Sequence, residues 1–192
     1  MSQLPNIISG LRLLFIPIFI LTFLDGSYLL ALIIFVLMSI SDAFDGMLAR
    51  KLNAQSQFGA YLDAIADKLM ILSAFLAMYL ASLKYLDDTI SILFYSCLYR
   101  DLILLVGAII TFKYSPDYHF KPLYISKINT VFQMILIIFI LFLLQDNYYY
   151  SYAIRDNLNI ILPMAYITIT TTIVSGVLYI VSFGKAFNKK IN

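Results

Sequence analysis

Apolar residues run along this chain in long blocks, not in strand-like alternation. Six blocks approach or reach the length of a membrane helix: residues 11–24, 28–48, 58–83, 90–112, 128–144 and 158–183. A hydrocarbon core about 30 Å thick needs roughly 20 apolar residues per helix. The first block is short and carries Pro17, so it is expected to tilt, kink or begin earlier, near Ile7. Breakers separate the blocks at Asp25-Gly26, Asp87-Asp88, Ser115-Pro116 and Asp146-Asn147. Tyr148, Tyr149, Tyr150 and Tyr152 crowd one connection, as an aromatic interface belt does. The pattern predicts an all-α integral membrane protein with six transmembrane helices, in one membrane domain over residues 1–192.

Charge gives the blocks a direction. Arg50 and Lys51 fall between the second and third, Lys113, Lys121 and Lys127 around the fourth connection, and Lys185, Lys189 and Lys190 after the sixth. The other side carries only Lys84 and Arg155, beside Asp25, Asp87, Asp88, Asp146 and Asp156. Positive residues stay inside, so both termini are expected in the cytoplasm. No basic region precedes the first block, which reads as a retained span and not as a cleaved signal. A bacterial inner membrane is the expected location.

Composition narrows the class. Of the 192 residues, 62% are hydrophobic and 12% charged. Soluble domains lie near 45–50% apolar and about 25% charged. The net charge of +2 argues against a nucleic-acid partner. A single cysteine, Cys97, cannot form an internal disulfide, and a single His119 excludes a histidine-rich metal site. All eleven acidic residues are Asp, and four of them fall between positions 42 and 67.

Those four carry the chemistry. The purely apolar part of the second block, residues 28–40, is too short to span. It reaches length only if residues 41–48, including Asp42 and Asp45, stay helical inside the membrane. The third block holds Asp63 and Asp67 in its first turns. Since one helix runs inward and the next returns, both pairs sit at similar depth near the cytosolic face. Asp42 and Asp45 are i,i+3 neighbours that share a face with Ala49, while Gly59, Asp63 and Asp67 follow at i,i+4,i+8. Each Asp costs about 2.5–3.5 kcal/mol in a membrane helix, and four like charges repel. Divalent cations offset both penalties, and an all-oxygen set suits Mg²⁺ or Mn²⁺. The competing reading is of helix-end aspartates that reach water or pair with Arg50 and Lys68.

The same residues resemble a known signature. Asp42-Ala-Phe-Asp45-Gly46-Met-Leu-Ala49-Arg50, eight residues, Gly59, three residues, Asp63, three residues and Asp67 is similar to the pattern of the CDP-alcohol phosphatidyltransferase family at every fixed position. Pro5-Asn6 followed by Arg12 resembles the family's short N-terminal amphipathic segment, and six spans is its usual count. The resemblance implies two divalent cations held by Asp42, Asp45, Asp63 and Asp67, with Asp67 also the general base on the acceptor hydroxyl. It implies CDP-diacylglycerol as donor, bound near Gly46, Gly59 and Arg50, with weaker parallels at Asn6 and Ser56, and a homodimer.

The acceptor is read from the later blocks. Arg100-Asp101 lies deep in the fourth, and Lys127 opens the fifth. Buried cations facing an acidic metal site suggest a place for an acceptor phosphate. The alternative pairs Arg100 with Asp101 and leaves Lys127 at the interface. The run Ser126-Lys127-Ile128-Asn129-Thr130, continuing to Gln133, looks more like the CMP-forming cardiolipin synthases, so phosphatidylglycerol is the expected acceptor. Phosphatidylglycerophosphate synthases usually show Arg-Glu and a further Arg-Glu stretch, whereas this chain has no Glu. Glycerol-3-phosphate is therefore the alternative acceptor. Outside this enzyme class, a small metal or ion transporter would spread its polar residues through the membrane depth, and a membrane scaffold would leave the signature unexplained.

Overall fold

The computed structural model of the chain describes residues 4–52, 57–83, 85–114, 124–145 and 150–191, with side chains for 10–41, 65–83, 85–110, 124–145 and 152–184. Every regular element among them is helical: α1 (Leu4–Leu24), α2 (Tyr28–Leu52), α3 (Gln57–Leu80), α4 (Asp87–Tyr114), α5 (Tyr124–Leu144), α6 (Tyr150–Asp156) and α7 (Leu158–Ile191). Each expected block has its helix. Three stretches are long and apolar enough to cross a membrane: Asp87–Ile110, Tyr124–Leu144 and Leu158–Gly184. Shorter apolar helical stretches cover Gly10–Leu24 and Tyr28–Ser41.

Two details differ from expectation. The N-terminal segment is no separate element, because α1 runs unbroken from Leu4 through Pro17. The tyrosine-rich connection is partly helical, since Tyr150 and Tyr152 lie in α6; Tyr148 and Tyr149 lie outside the described residues. Where the sequence shows Asp25-Gly26, the chain closes α1 with a Schellman turn. Gly26 takes φ 81°, and Ser27 N–H donates to Thr22 O at 3.0 Å while Gly26 N–H donates to Phe23 O at 3.1 Å. Only a residue without Cβ adopts that backbone at no cost.

Burial reads inside out relative to a water-soluble bundle. Leu14, Leu21, Leu37, Ile109 and Ile180 are exposed, whereas Arg12, Arg100, Asn129, Gln133, Thr172 and Ser175 are buried. In a bilayer the outward face meets lipid and polar groups must find partners within the bundle. Packing places α1 against both α2 and α3, α4 and α5 against α7, and α2 against α5. The buried face of α5 recurs at Asn129, Gln133, Leu136, Ile137, Ile140, Leu141 and Leu144, one helical stripe that is polar at one end and aliphatic beyond it. Phe19, Phe23 and Phe35 fill the α1–α2 contact, with the Phe19 and Phe35 rings 5.7 Å apart.

Candidate active site

The helical backbone of α2 continues through Asp42, Asp45, Gly46 and Arg50, and that of α3 through Gly59, Asp63 and Asp67. Helical phase therefore keeps Asp42 with Asp45 on one face and Asp63 with Asp67 on another. The side chains of Asn6, Asp42, Asp45, Arg50 and Asp63 lie outside the described residues, as do the surroundings of Gly46 and Gly59, and so does Ser56 altogether. Among the described residues no three His, Cys, Asp or Glu side chains gather as a metal site. The donor set that the two helices carry is all carboxylate, which fits a hard divalent ion.

Asp67 is the one signature aspartate whose side chain is described. Arg12, only 1% exposed on α1, donates from Nη1 to Asp67 Oδ1. This contact ties α1 to α3 at the acidic end of the bundle. The contact holds the Asp67 carboxylate against a buried cation at the mouth of the acidic helix ends.

Asp67 also lines a cavity of about 190 Å³ with Lys68 from α3, Arg100 and Asp101 from α4, and Ser126, Thr130 and Gln133 from α5. Arg100 Nη1 donates to Asp101 Oδ1 and Nη2 to Ser126 Oγ, each at 2.7 Å. The expected alternative pairing with Asp101 is thus present, and Arg100 still lines the cavity. Its Nε is buried with no partner among the described residues, a donor that a bound anion or water would satisfy. Lys68 Nζ lies 3.7 Å from Asp101 Oδ1. The sequence reading had offered Lys68 only as a counter-ion to the signature aspartates. Among the described side chains that line the cavity, the cations Lys68 and Arg100 and the carboxylates Asp67 and Asp101 are equal in number.

Lys127 is placed differently. It is exposed in the first turn of α5 and does not line this cavity. Gln133, to which the sequence reading gave no role, does. Its Nε2 donates to Cys97 Sγ at 2.9 Å and to Thr172 Oγ1 at 3.3 Å. The signal for it was a second amide on the buried face of α5, one turn after Asn129. A second groove, about 260 Å³ and mostly apolar, lies between α1 and α2 beside Arg12, Phe15, Leu37, Met38 and Ser41.

Comparison with known proteins gives the family. The CDP-alcohol phosphatidyltransferase family matches residues 2–181. A CDP-diacylglycerol–glycerol-3-phosphate 3-phosphatidyltransferase of Pseudomonas fluorescens is 47% identical over 72 residues, covering 36% of this chain and 37% of that protein. The chloroplastic enzyme 1 of that name from Oryza sativa subsp. japonica is 32% identical over 194 residues, covering 92% of this chain and 56% of the relative. The Aquifex aeolicus (strain VF5) protein of the same name is 32% identical over 132 residues, covering 68% of this chain and 70% of the relative. The matches thus span less than two thirds of the first two relatives. With nearly its whole length matched, the chain belongs to the CDP-alcohol phosphatidyltransferase family.

Proposed function

We propose that this chain is a multi-pass membrane enzyme of phospholipid biosynthesis that moves the phosphatidyl group of CDP-diacylglycerol onto glycerol-3-phosphate, releasing CMP. The observation that carries the proposal is the cavity in which Asp67 meets Arg100 and Lys68: a carboxylate able to take a proton beside cations able to hold a phosphate. The names of the relatives favour glycerol-3-phosphate over phosphatidylglycerol, the acceptor that the α5 run had suggested.

In this reading the acceptor's primary hydroxyl oxygen attacks the lipid-bearing phosphorus and the bond from that phosphorus to CMP breaks. Asp67 takes the hydroxyl proton. Arg100 and Lys68 hold the acceptor's phosphate, and Lys127 adds attraction from the exposed start of α5. Asp42, Asp45, Asp63 and Asp67 would hold two Mg²⁺ or Mn²⁺ ions, which when bound clamp the pyrophosphate and offset charge on the departing oxygen. Asn6, Gly46, Arg50, Ser56 and Gly59 would form the nucleotide end. The α1–α2 groove supports a lipid donor, because Ser41 on its wall directly precedes Asp42. An acyl chain lying there would bring its headgroup to the acidic helix ends. Six spans in a single domain, cytoplasmic termini, a homodimer and a bacterial inner membrane complete the proposal.

Phosphatidylglycerol remains the second reading, since the run from Ser126 to Gln133 resembles that of the CMP-forming cardiolipin synthases. The test supplies purified enzyme with CDP-diacylglycerol, Mg²⁺ and each acceptor separately, and identifies the product by mass. Phosphatidylglycerophosphate is expected. Cardiolipin as the sole product would overturn the choice of acceptor.

A further inference from the structure

Gln133 sits in the cavity with its amide nitrogen turned toward Cys97 and Thr172. Asn129 Oδ1 accepts from Thr171 Oγ1 at 2.8 Å and from Thr172 Oγ1 at 2.9 Å. The Thr172 hydroxyl also lies 2.8 Å from the Thr168 carbonyl, so its one proton is engaged within α7 or by Asn129. A hydroxyl has a single proton to give. With that proton so engaged, Thr172 Oγ1 accepts from the amide nitrogen of Gln133 at 3.3 Å. The second proton of that nitrogen goes to Cys97 Sγ. Both donors of Gln133 are spent on the protein, and its carbonyl Oε1 has no protein partner among the described residues. Gln133 is 2% exposed and what it lines is the cavity shared with Asp67 and Arg100.

A fixed carbonyl oxygen reads a hydroxyl proton. We infer that Gln133 Oε1 accepts a hydrogen bond from the non-reacting secondary hydroxyl of the acceptor, making Gln133 a specificity-determining residue, with Asn129 and Thr172 positioning it. The ligand class is a phosphoglycerol: a phosphate for Arg100, a primary hydroxyl for Asp67 and a secondary hydroxyl between them for Gln133. This rests on the proposed transferase reading. Free glycerol-3-phosphate and the headgroup of phosphatidylglycerol share that chemistry, so the experiment needs an arm for each.

The probe is 3-hydroxypropyl phosphate, which keeps the phosphate and primary hydroxyl and lacks the secondary one. Wild-type enzyme in detergent with CDP-diacylglycerol should use it with a kcat/KM about tenfold or more below that for glycerol-3-phosphate, as expected when a buried acceptor is left unpaired. In Gln133→Leu the two acceptors should come within about twofold of each other, with the KM for CDP-diacylglycerol held near its wild-type value. A purely structural Gln133 would lower both rates and keep their ratio. Equal use of the two compounds by the wild type overturns the inference without any variant, as does a Gln133→Leu enzyme that keeps the wild-type ratio. If only phosphatidylglycerol is used, the same comparison is made with its 1,3-propanediol counterpart. Discrimination there sinks glycerol-3-phosphate as acceptor and upholds Gln133. Turnover with no acceptor of either pair would sink both.

Discussion

Arg100 is 7% exposed and carries a permanent charge, so its partners have to offset a large desolvation penalty. Asp101 and Ser126 take its two terminal nitrogens, and the aliphatic part of the side chain lies 3.8 Å from where a Cβ on Gly176 would stand. Such a guanidinium is held in place and does not sweep the solvent. Arg100→Ala should raise the KM for the acceptor at least about tenfold, the loss of one charge-assisted hydrogen bond, with the KM for CDP-diacylglycerol nearly unchanged. The exposed Lys127, replaced by Ala, should do less, and steady-state kinetics on the two variants checks the order. An equal or larger effect at Lys127 would move the phosphate out of the cavity. At this scale the four aspartates stand out in the sequence, because four charges at helical spacing inside apolar blocks require a cause; of their side chains, the structure describes that of Asp67. Lys68 and Gln133 do not stand out. Their place in one cavity depends on α3, α4 and α5 meeting around it, and no local pattern encodes that.

Among the helices, the α4–α7 contact depends on a single missing side chain. Gly107 lies against the ring of Phe183, so closely that a Cβ would overlap it. Leu104, Tyr179 and Phe183 form the small core there. Gly107→Val should force the ring aside and cost about 1–3 kcal/mol, the usual range for overpacking, read as an earlier unfolding midpoint in detergent. A variant as stable as the wild type would mean the helices part freely at this point. The helices themselves were largely readable from block lengths, since apolar runs bounded by Asp-Gly and Asp-Asp leave few alternatives. Their ends were less so: α2 and α4 extend past the apolar blocks, to Leu52 and Tyr114, because backbone hydrogen bonding continues into polar residues. Helix α6 was missed because seven residues rich in tyrosine give no periodicity to read.

For the whole molecule, the polar interior near the acidic helix ends and the apolar outer face suit a one-sided site in a bilayer. The proposed cytoplasmic side follows from the lysine and arginine asymmetry and can be tested. Cysteines placed at Gln55 and Lys189 should react with an impermeant reagent from the cytoplasm and one at Asp87 from the opposite side; the native Cys97 is buried and adds little background. Labelling of position 55 from outside alone would invert the orientation. Phosphatidyl transfer at the aspartate site would release CMP from CDP-diacylglycerol, and that release can be followed in detergent. Purified wild-type enzyme with Mg²⁺ and glycerol-3-phosphate should release CMP, EDTA should stop it, and Asp67→Asn should lower the rate about 100- to 10,000-fold, the span of general-base catalysis. CMP release that survives both EDTA and Asp67→Asn, or none from the wild type with either acceptor, would contradict the account.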